Sequence, residues 1–92
     1  MKVIYSQRFL LELGRIVKFI SRDSKIRAKE FSRFIKQSCQ NLIANPYKCR
    51  KSPKFDNDNV RDLIIKGFVI PYLVGDECIT ILGIYKTNAW EA

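Results

Sequence analysis

Histidine is absent from this 92-residue sequence, and acidic residues are few. Without an imidazole there is no Ser–His or Cys–His nucleophile pair and no histidine general base. Cys39, Cys49 and Cys78 are odd in number and lack CxxC spacing, so we expect reduced thiols packed as small apolar residues. A zinc ion would need carboxylates to complete its ligands. The sequence therefore predicts no metal site and no cofactor.

Long apolar runs are also missing. No stretch approaches the ~20 residues that a membrane-spanning helix needs. The first six residues become polar too soon for a signal peptide. We therefore expect a cytoplasmic protein with no membrane partner. The length predicts a single domain over residues 1–92.

Positive charge is what the sequence has in excess. Seventeen Lys and Arg face nine Asp and Glu, which gives a net charge of +8. Residues 1–54 contain fourteen basic and three acidic residues, whereas residues 55–92 contain three basic and six acidic ones. A basic half favours polyanionic partners such as nucleic acid, a ribosome or an acidic protein. The charge alone does not choose among them.

Hydrophobic spacing predicts a strand at residues 3–5 and then two helices. Ser6 is expected to cap the first helix, which runs to about residue 22. Asp23 or Ser24 is expected to cap the second, which ends near residue 44 because the residue before Pro46 is pushed out of the α region. The short turn between the helices predicts an antiparallel hairpin whose two apolar stripes join one core.

Each predicted helix has an apolar stripe at helical spacing. The first stripe consists of Phe9, Leu10, Leu13, Ile16, Val17 and Ile20. The second consists of Ile26, Phe31, Phe34, Ile35, Cys39, Leu42 and Ile43. We expect both stripes to be buried.

After a polar loop at residues 45–58, apolar runs at 60–65, 68–74 and 78–85 predict three strands. Lys66-Gly67 and Gly75-Asp76 suit tight turns between them. Pro71 lies inside the middle run and cannot donate to a ladder, so it predicts a bulge or an unpaired position. The predicted fold is α+β, with the order β-α-α-β-β-β and a helical hairpin packed on a small, mainly antiparallel four-stranded sheet.

Four short motifs follow one another after the second helix. They are Ala44-Asn45-Pro46 with Cys49-Arg50 and Pro53, Val60-Arg61-Asp62-Leu63, the run from Gly67 to Val74, and the run from Ile79 to Ile84. The first is similar to the N-P-x-x-G-R-x-x-P stretch of the RelE/ParE toxin superfamily, and the second to its V-R-x-L stretch. The last two resemble its glycine–aromatic strand and its V-x-I-L-x-V strand. Nearly the whole chain therefore resembles the toxin of a type II toxin–antitoxin pair.

The resemblance implies one of two activities. RelE-like members cleave mRNA on the ribosome, using basic and acid/base side chains to activate the ribose 2′-OH, whereas ParE-like members block DNA gyrase and lack that set. This chain has Ile64 and Ile65 where the cleaving branch places Arg. Lys86 stands roughly where ParE-like members have His, and Trp90 where they have an aromatic residue, although their arginines are missing. The ParE-like branch is therefore favoured.

Candidate site residues follow from charge and from the resemblance. The predicted target-binding or polyanion-binding residues are Lys48, Arg50, Lys51, Lys54, Arg61, Lys86 and Trp90. A solvated surface remains open for the loop, and a local partner such as Asp58 for Arg61. If the chain is a nuclease, the candidate catalytic residues are Tyr85, Lys86, Arg50 and Lys54, with Lys48. An adjacent ammonium group lowers the pKa of a phenol, although Tyr72 and Tyr85 also suit core positions.

The resemblance also implies partners. One is a cognate acidic antitoxin, whose extended or helical C-terminal region lies across the helices and the open sheet face. The other is DNA gyrase or, in the alternative, the ribosome with mRNA. A homodimer and a heterotetramer with the antitoxin are both left open. A third hypothesis is a non-toxic basic domain that binds nucleic acid or another protein.

Overall fold

A computed structural model describes residues 1–87 of the chain. Its elements are β1 (Lys2–Tyr5), α1 (Gln7–Ser21), α2 (Lys25–Gln40), a 3-10 helix (Asn41–Ala44), β2 (Arg50–Lys51), β3 (Val60–Ile65), β4 (Phe68–Val74), β5 (Cys78–Ile81) and β6 (Tyr85–Lys86). The predicted α+β fold, with a helical hairpin after the first strand, is confirmed.

The caps predicted from the sequence begin both helices. The Ser6 hydroxyl accepts a hydrogen bond from the Phe9 N–H at 3.0 Å, and the Ser24 hydroxyl accepts one from the Arg27 N–H at 3.1 Å. Each bond satisfies a donor that has no partner within its own helix. The second helical segment ends as a 3-10 helix just before residue 45, so the predicted end near residue 44 is confirmed.

The strands form one mixed sheet in the order β1-β5-β4-β3-β2, and β6 also pairs with β4. β1 runs parallel to β5, and every other pair is antiparallel. Lys66 and Gly67 link β3 to β4 with φ values of 52° and 82°, as a type I′ hairpin turn requires. The sheet exceeds the predicted four strands because β2 forms inside the predicted loop and the last predicted strand is divided.

The break between β5 and β6 lies opposite Pro71 of β4. The pairing of β6 with β4 is shifted by one residue relative to the pairing of β5 with β4. The segment between β5 and β6 therefore contains one extra residue. The Leu82 N–H donates to the Pro71 carbonyl at 2.8 Å. The nitrogen and carbonyl of a strand residue face the same side, so the missing N–H of Pro71 also faces this interruption. The bulge predicted at Pro71 is confirmed.

Helix α1 and its cap residue Ser6 bind the bulge. The Ser6 hydroxyl donates to the Leu82 carbonyl at 3.1 Å, and the Glu12 carboxylate accepts a hydrogen bond from the Ile84 N–H at 3.2 Å. A Cβ at position 83 would lie 2.6 Å from the same Glu12 oxygen. Gly83 therefore leaves the space that this carboxylate occupies.

The core lies between the helical hairpin and one face of the sheet. Its buried side chains are Phe9, Leu13, Ile35, Cys39, Leu42, Ile70, Tyr72, Val74, Ile79, Ile81 and Ile84. The prediction that Leu10, Ile26 and Phe34 are buried is wrong, because all three are exposed. Apolar spacing identifies the apolar side of a helix, but the width of the buried stripe depends on how far the sheet extends beneath it.

Replacing Gly83 with Ala is expected to destabilise the fold by about 1–2 kcal/mol, because the new Cβ displaces Glu12 and leaves the Ile84 N–H without its acceptor. Gly14→Ala is the matched control. A Cβ at position 14 of α1 meets nothing within 4 Å, so better helix propensity should stabilise by up to ~1 kcal/mol. Urea unfolding measures both variants. An unchanged midpoint for Gly83→Ala, or an equal loss in a Glu12→Ala background, would contradict the role of Glu12.

Candidate functional site

The predicted site residues are divided between the two faces of the sheet. Side chains alternate along a strand, so Tyr85 faces away from the helices while Lys86 faces α1 and lines a cavity there. Adjacency in the sequence therefore does not bring the Lys86 ammonium to the Tyr85 hydroxyl. The two residues belong to different surfaces.

On the face away from the helices, three of the predicted residues lie close together. Arg50 Nη2 lies 3.2 Å from Asp62 Oδ2, and the Asp62 side chain is 0% exposed. Lys54 Nζ lies 5.5 Å from the centroid of the Tyr85 ring. The Arg50 guanidinium balances a buried carboxylate, which would be costly to leave unpaired. The ion pair between Arg50 and Asp62 therefore stabilises the fold.

Tyr85 is not prepared to act as a base. Burial raises the pKa of its phenol above the ordinary value of 10.0, and the Asp62 carboxylate raises it further, while Arg50 opposes them. The predicted lowering of this pKa by Lys86 is wrong, because the two side chains lie on opposite faces. At neutral pH the phenol keeps its proton.

Arg61 fixes the loop at residues 45–58, which we call the basic loop, to the sheet. Its Nη1 donates to the Cys49 carbonyl at 3.1 Å and its Nε donates to the Asp58 carbonyl at 3.1 Å. The Tyr72 hydroxyl donates to the Pro46 carbonyl at 2.7 Å, which ties the start of the loop to β4. Arg61 thus has local partners, including the predicted Asp58, which it reaches through the backbone carbonyl of that residue.

Much of the charge in the basic loop is used within the fold. Lys51 Nζ lies 3.4 Å from Asp58 Oδ1, and Arg50 and Lys54 have the contacts described above. Lys48 is exposed. Trp90, the remaining predicted binding residue, lies outside the described residues.

A second cluster of positive charge lies on the helix side. Two cavities of about 380 and 540 Å³ share Ile20 and Lys66, and together they form a hairpin cleft between the helices and the β3–β4 turn. Its apolar lining consists of Ile16, Phe19, Ile20, Phe31, Phe34 and Phe68. Its charged lining consists of Arg15, Arg27, Lys66, Lys86 and Glu30. An apolar lining that carries four cations and one anion suits an acidic segment with apolar side chains.

Aromatic side chains shape the hairpin cleft. Phe31 and Phe68 meet edge to face with their centroids 5.5 Å apart, which joins α2 to β4. Lys66 Nζ lies 4.2 Å from the centroid of the Phe34 ring, and Phe19 is 67% exposed. Exposed apolar surface grouped in this way is typical of an interaction site. The sequence analysis did not predict the cleft. Lys66, in the predicted hairpin turn, was the residue that could have indicated a positive charge close to the helices.

The three cysteines have free thiols. Burial raises the pKa of the Cys39 thiol to about 12, which keeps it protonated and unreactive. Within residues 1–87, no group of Cys, Asp and Glu side chains could hold a metal ion. In the same range, no helix is both long and apolar enough to cross a membrane.

The raised pKa of Tyr85 predicts a loss of stability in alkali. The folded-state pKa exceeds the unfolded one, so the stabilisation is present below about pH 10 and is lost as pH rises through the folded-state pKa. Above about pH 10 the free energy of unfolding should fall more steeply for the wild-type chain than for Tyr85→Phe. Urea unfolding at pH 7 and about pH 10.5 measures the difference. An equal decrease in the free energy of unfolding for the wild-type chain and Tyr85→Phe would contradict the raised pKa of Tyr85.

Comparisons with known proteins agree with this architecture. No curated protein sequence matches the chain. Among solved structures, a chain of the chromosomal ParDE TA system from P. aeruginosa has the same fold, with a TM-score of 0.75 and 19% sequence identity over 94% of this chain and 95% of that one. A family model, described as the ParE toxin of the type II toxin–antitoxin system parDE, matches residues 3–88. The chain therefore belongs to the ParE toxin family of type II toxin–antitoxin systems.

Proposed function

We propose that this chain arrests bacterial growth by binding DNA gyrase, without covalent chemistry, and that a cognate acidic antitoxin neutralises it. Membership of the ParE toxin family supports the toxin–antitoxin part. The observation that carries the non-catalytic part is the state of Tyr85, whose phenol is buried and has a raised pKa. The nearby Arg50 is paired with Asp62.

The hairpin cleft is the surface that best fits the antitoxin. The chain has a net charge of +8, and the cleft combines exposed aromatic surface with Arg15, Arg27, Lys66 and Lys86. An acidic segment bound there would cover the apolar lining and neutralise these cations. Both effects favour a tight complex of a small, marginally stable domain.

A ribosome-dependent mRNA endonuclease is the alternative. It is favoured by one observation, the gathering of Arg50, Lys54 and Tyr85 on a single face of the sheet. Against it, Ile64 lies on β3 where the cleaving branch has Arg, and its side chain is half exposed and uncharged. An exposed apolar side chain does not stabilise a phosphate or a developing negative charge.

Gyrase inhibition is the direct test. The purified chain should inhibit DNA supercoiling by gyrase, Tyr85→Phe should inhibit it equally, and translation of a defined message in a cell-free system should continue. Codon-phased mRNA cleavage that disappears in Tyr85→Phe would instead establish the endonuclease. If induction in a bacterial host leaves growth unaffected, both toxin proposals fail and a non-toxic binding domain remains.

Phe19→Ser tests the hairpin cleft as the antitoxin site. The probe is the small acidic protein expected from the reading frame adjacent to the gene of this chain. Removing an exposed aromatic anchor should weaken its binding by about tenfold or more. Ile26→Ser is the matched control, because Ile26 is 72% exposed against 67% for Phe19 but does not line the cleft. Calorimetric titration measures both, and an equal effect of the two substitutions would contradict the assignment.

A further inference from the structure

Helix α2 carries a line of positive charge on its outer surface. The line consists of Lys25, Lys29, Arg33 and Lys36, and all four residues are exposed. At about 3.6 residues per turn, they fall within an arc of about 80° and extend over about 17 Å along the helix. We name these four residues the basic stripe.

The basic stripe has no counter-charge within the described part of the chain. None of its members takes part in an ion pair within residues 1–87. Glu30, the one acidic residue of α2, lines the hairpin cleft instead. The four charges are therefore available to a partner.

The arrangement is unfavourable for the helix itself. Lys25, Lys29 and Arg33 follow one another at a spacing of four residues, at which like charges on a helix repel each other. Lys25 also lies in the first turn, where the helix dipole favours acidic residues and α2 has none. The stability of the helix therefore does not account for these charges.

The composition of the basic stripe favours a phosphate backbone over other anionic surfaces. Protein–protein interfaces are depleted in lysine, which supplies three of the four charges, and they favour aromatic anchors, which the stripe lacks. Phosphates, in contrast, are commonly neutralised by lysine and arginine. A membrane surface does not fit, because the apolar side of α2, with Ala28, Ile35 and Cys39, is buried and cannot enter lipid.

We propose that the basic stripe binds the phosphate backbone of double-stranded DNA without sequence preference. Single strands are bound through aromatic side chains on which the bases stack, and the stripe has none. Charges four residues apart are separated by about 6 Å along the helix axis, and each DNA strand carries about one charge per 3.4 Å, so each side chain can meet a different phosphate. The choice of DNA over RNA rests on the proposed function, because gyrase acts on duplex DNA.

Lys29→Gln tests the basic stripe with a DNA duplex of about 20 base pairs, followed by fluorescence anisotropy over a series of salt concentrations. Loss of one phosphate contact should weaken binding about five- to tenfold at about 0.1 M salt, and it should reduce the slope of log affinity against log salt by about 0.9. Glutamine forms helices as well as lysine does, so the fold should be retained.

Lys18→Gln is the matched control. Lys18 is an exposed lysine of α1 outside the basic stripe, and its substitution removes the same charge from the chain. Lys29→Arg is a second control, because it keeps the charge at the same position. Both variants should bind the duplex within about twofold of the wild-type chain, since only a charge close to a phosphate releases a counterion.

Amide resonances of the wild-type chain supply a second readout that needs no substitution. On titration with the same duplex, the resonances of Lys29 and Arg33 should move, because these residues would contact the backbone. Those of Lys66 and Lys86, which line the hairpin cleft, should stay in place. Movement of the cleft resonances alone would overturn the proposal, since the duplex would then bind at the cleft.

The outcomes separate this proposal from the proposed function, because the assay contains neither gyrase nor antitoxin. An effect of Lys18→Gln as large as that of Lys29→Gln would overturn the proposal, since net charge would then be responsible. About tenfold tighter binding of an RNA duplex of the same sequence would overturn the choice of DNA. If Lys29→Gln weakens only the binding of the protein from the adjacent reading frame, the occupant is an acidic protein. Duplex binding through the stripe without inhibition of gyrase would retain this site while the proposed function fails.

Discussion

A proline inside the central strand β4 controls the arrangement of this sheet. Because Pro71 has no N–H to give to its neighbour, the register shifts by one residue and the neighbouring segment becomes two strands, β5 and β6. The Ile84 N–H then points away from β4, and the Glu12 carboxylate of α1 accepts its hydrogen bond. Gly83 makes room for that carboxylate. Within residues 1–87, the bulge, the first helix and the edge of β6 that faces away from β4 are therefore one connected feature.

The two sides of the sheet use positive charge differently. On the face away from the helices, Arg50 balances the buried Asp62, and Lys54 lies against the Tyr85 ring. These contacts use, within the fold, two basic side chains that the sequence analysis names as candidate catalytic residues. On the helix side, cations surround exposed aromatic rings in the hairpin cleft. The four cations that line the hairpin cleft therefore lie where the proposed acidic partner would bind.

Local rules were sufficient for the features that depend on a few neighbouring residues. The Ser6 cap, the two-residue hairpin turn and the bulge at Pro71 each follow from the hydrogen-bonding capacity or the φ preference of one or two residues. Burial of Asp62, exposure of parts of both helices and formation of β2 depend on which segments meet in space. The predicted lowering of the Tyr85 pKa by Lys86 is wrong for a related reason, since strand alternation places adjacent side chains on opposite faces.

The parallel pairing of β1 with β5 joins the first strand to one of the last. The Ser6 hydroxyl and the Leu82 carbonyl that meet at its end are 76 residues apart in the sequence. Contacts between such distant segments form late, because the intervening chain must first be ordered. During synthesis, β1 has no strand to pair with until β5 has been synthesised and has left the ribosome. The sheet of this toxin therefore cannot include β1 until the ribosome has synthesised β5.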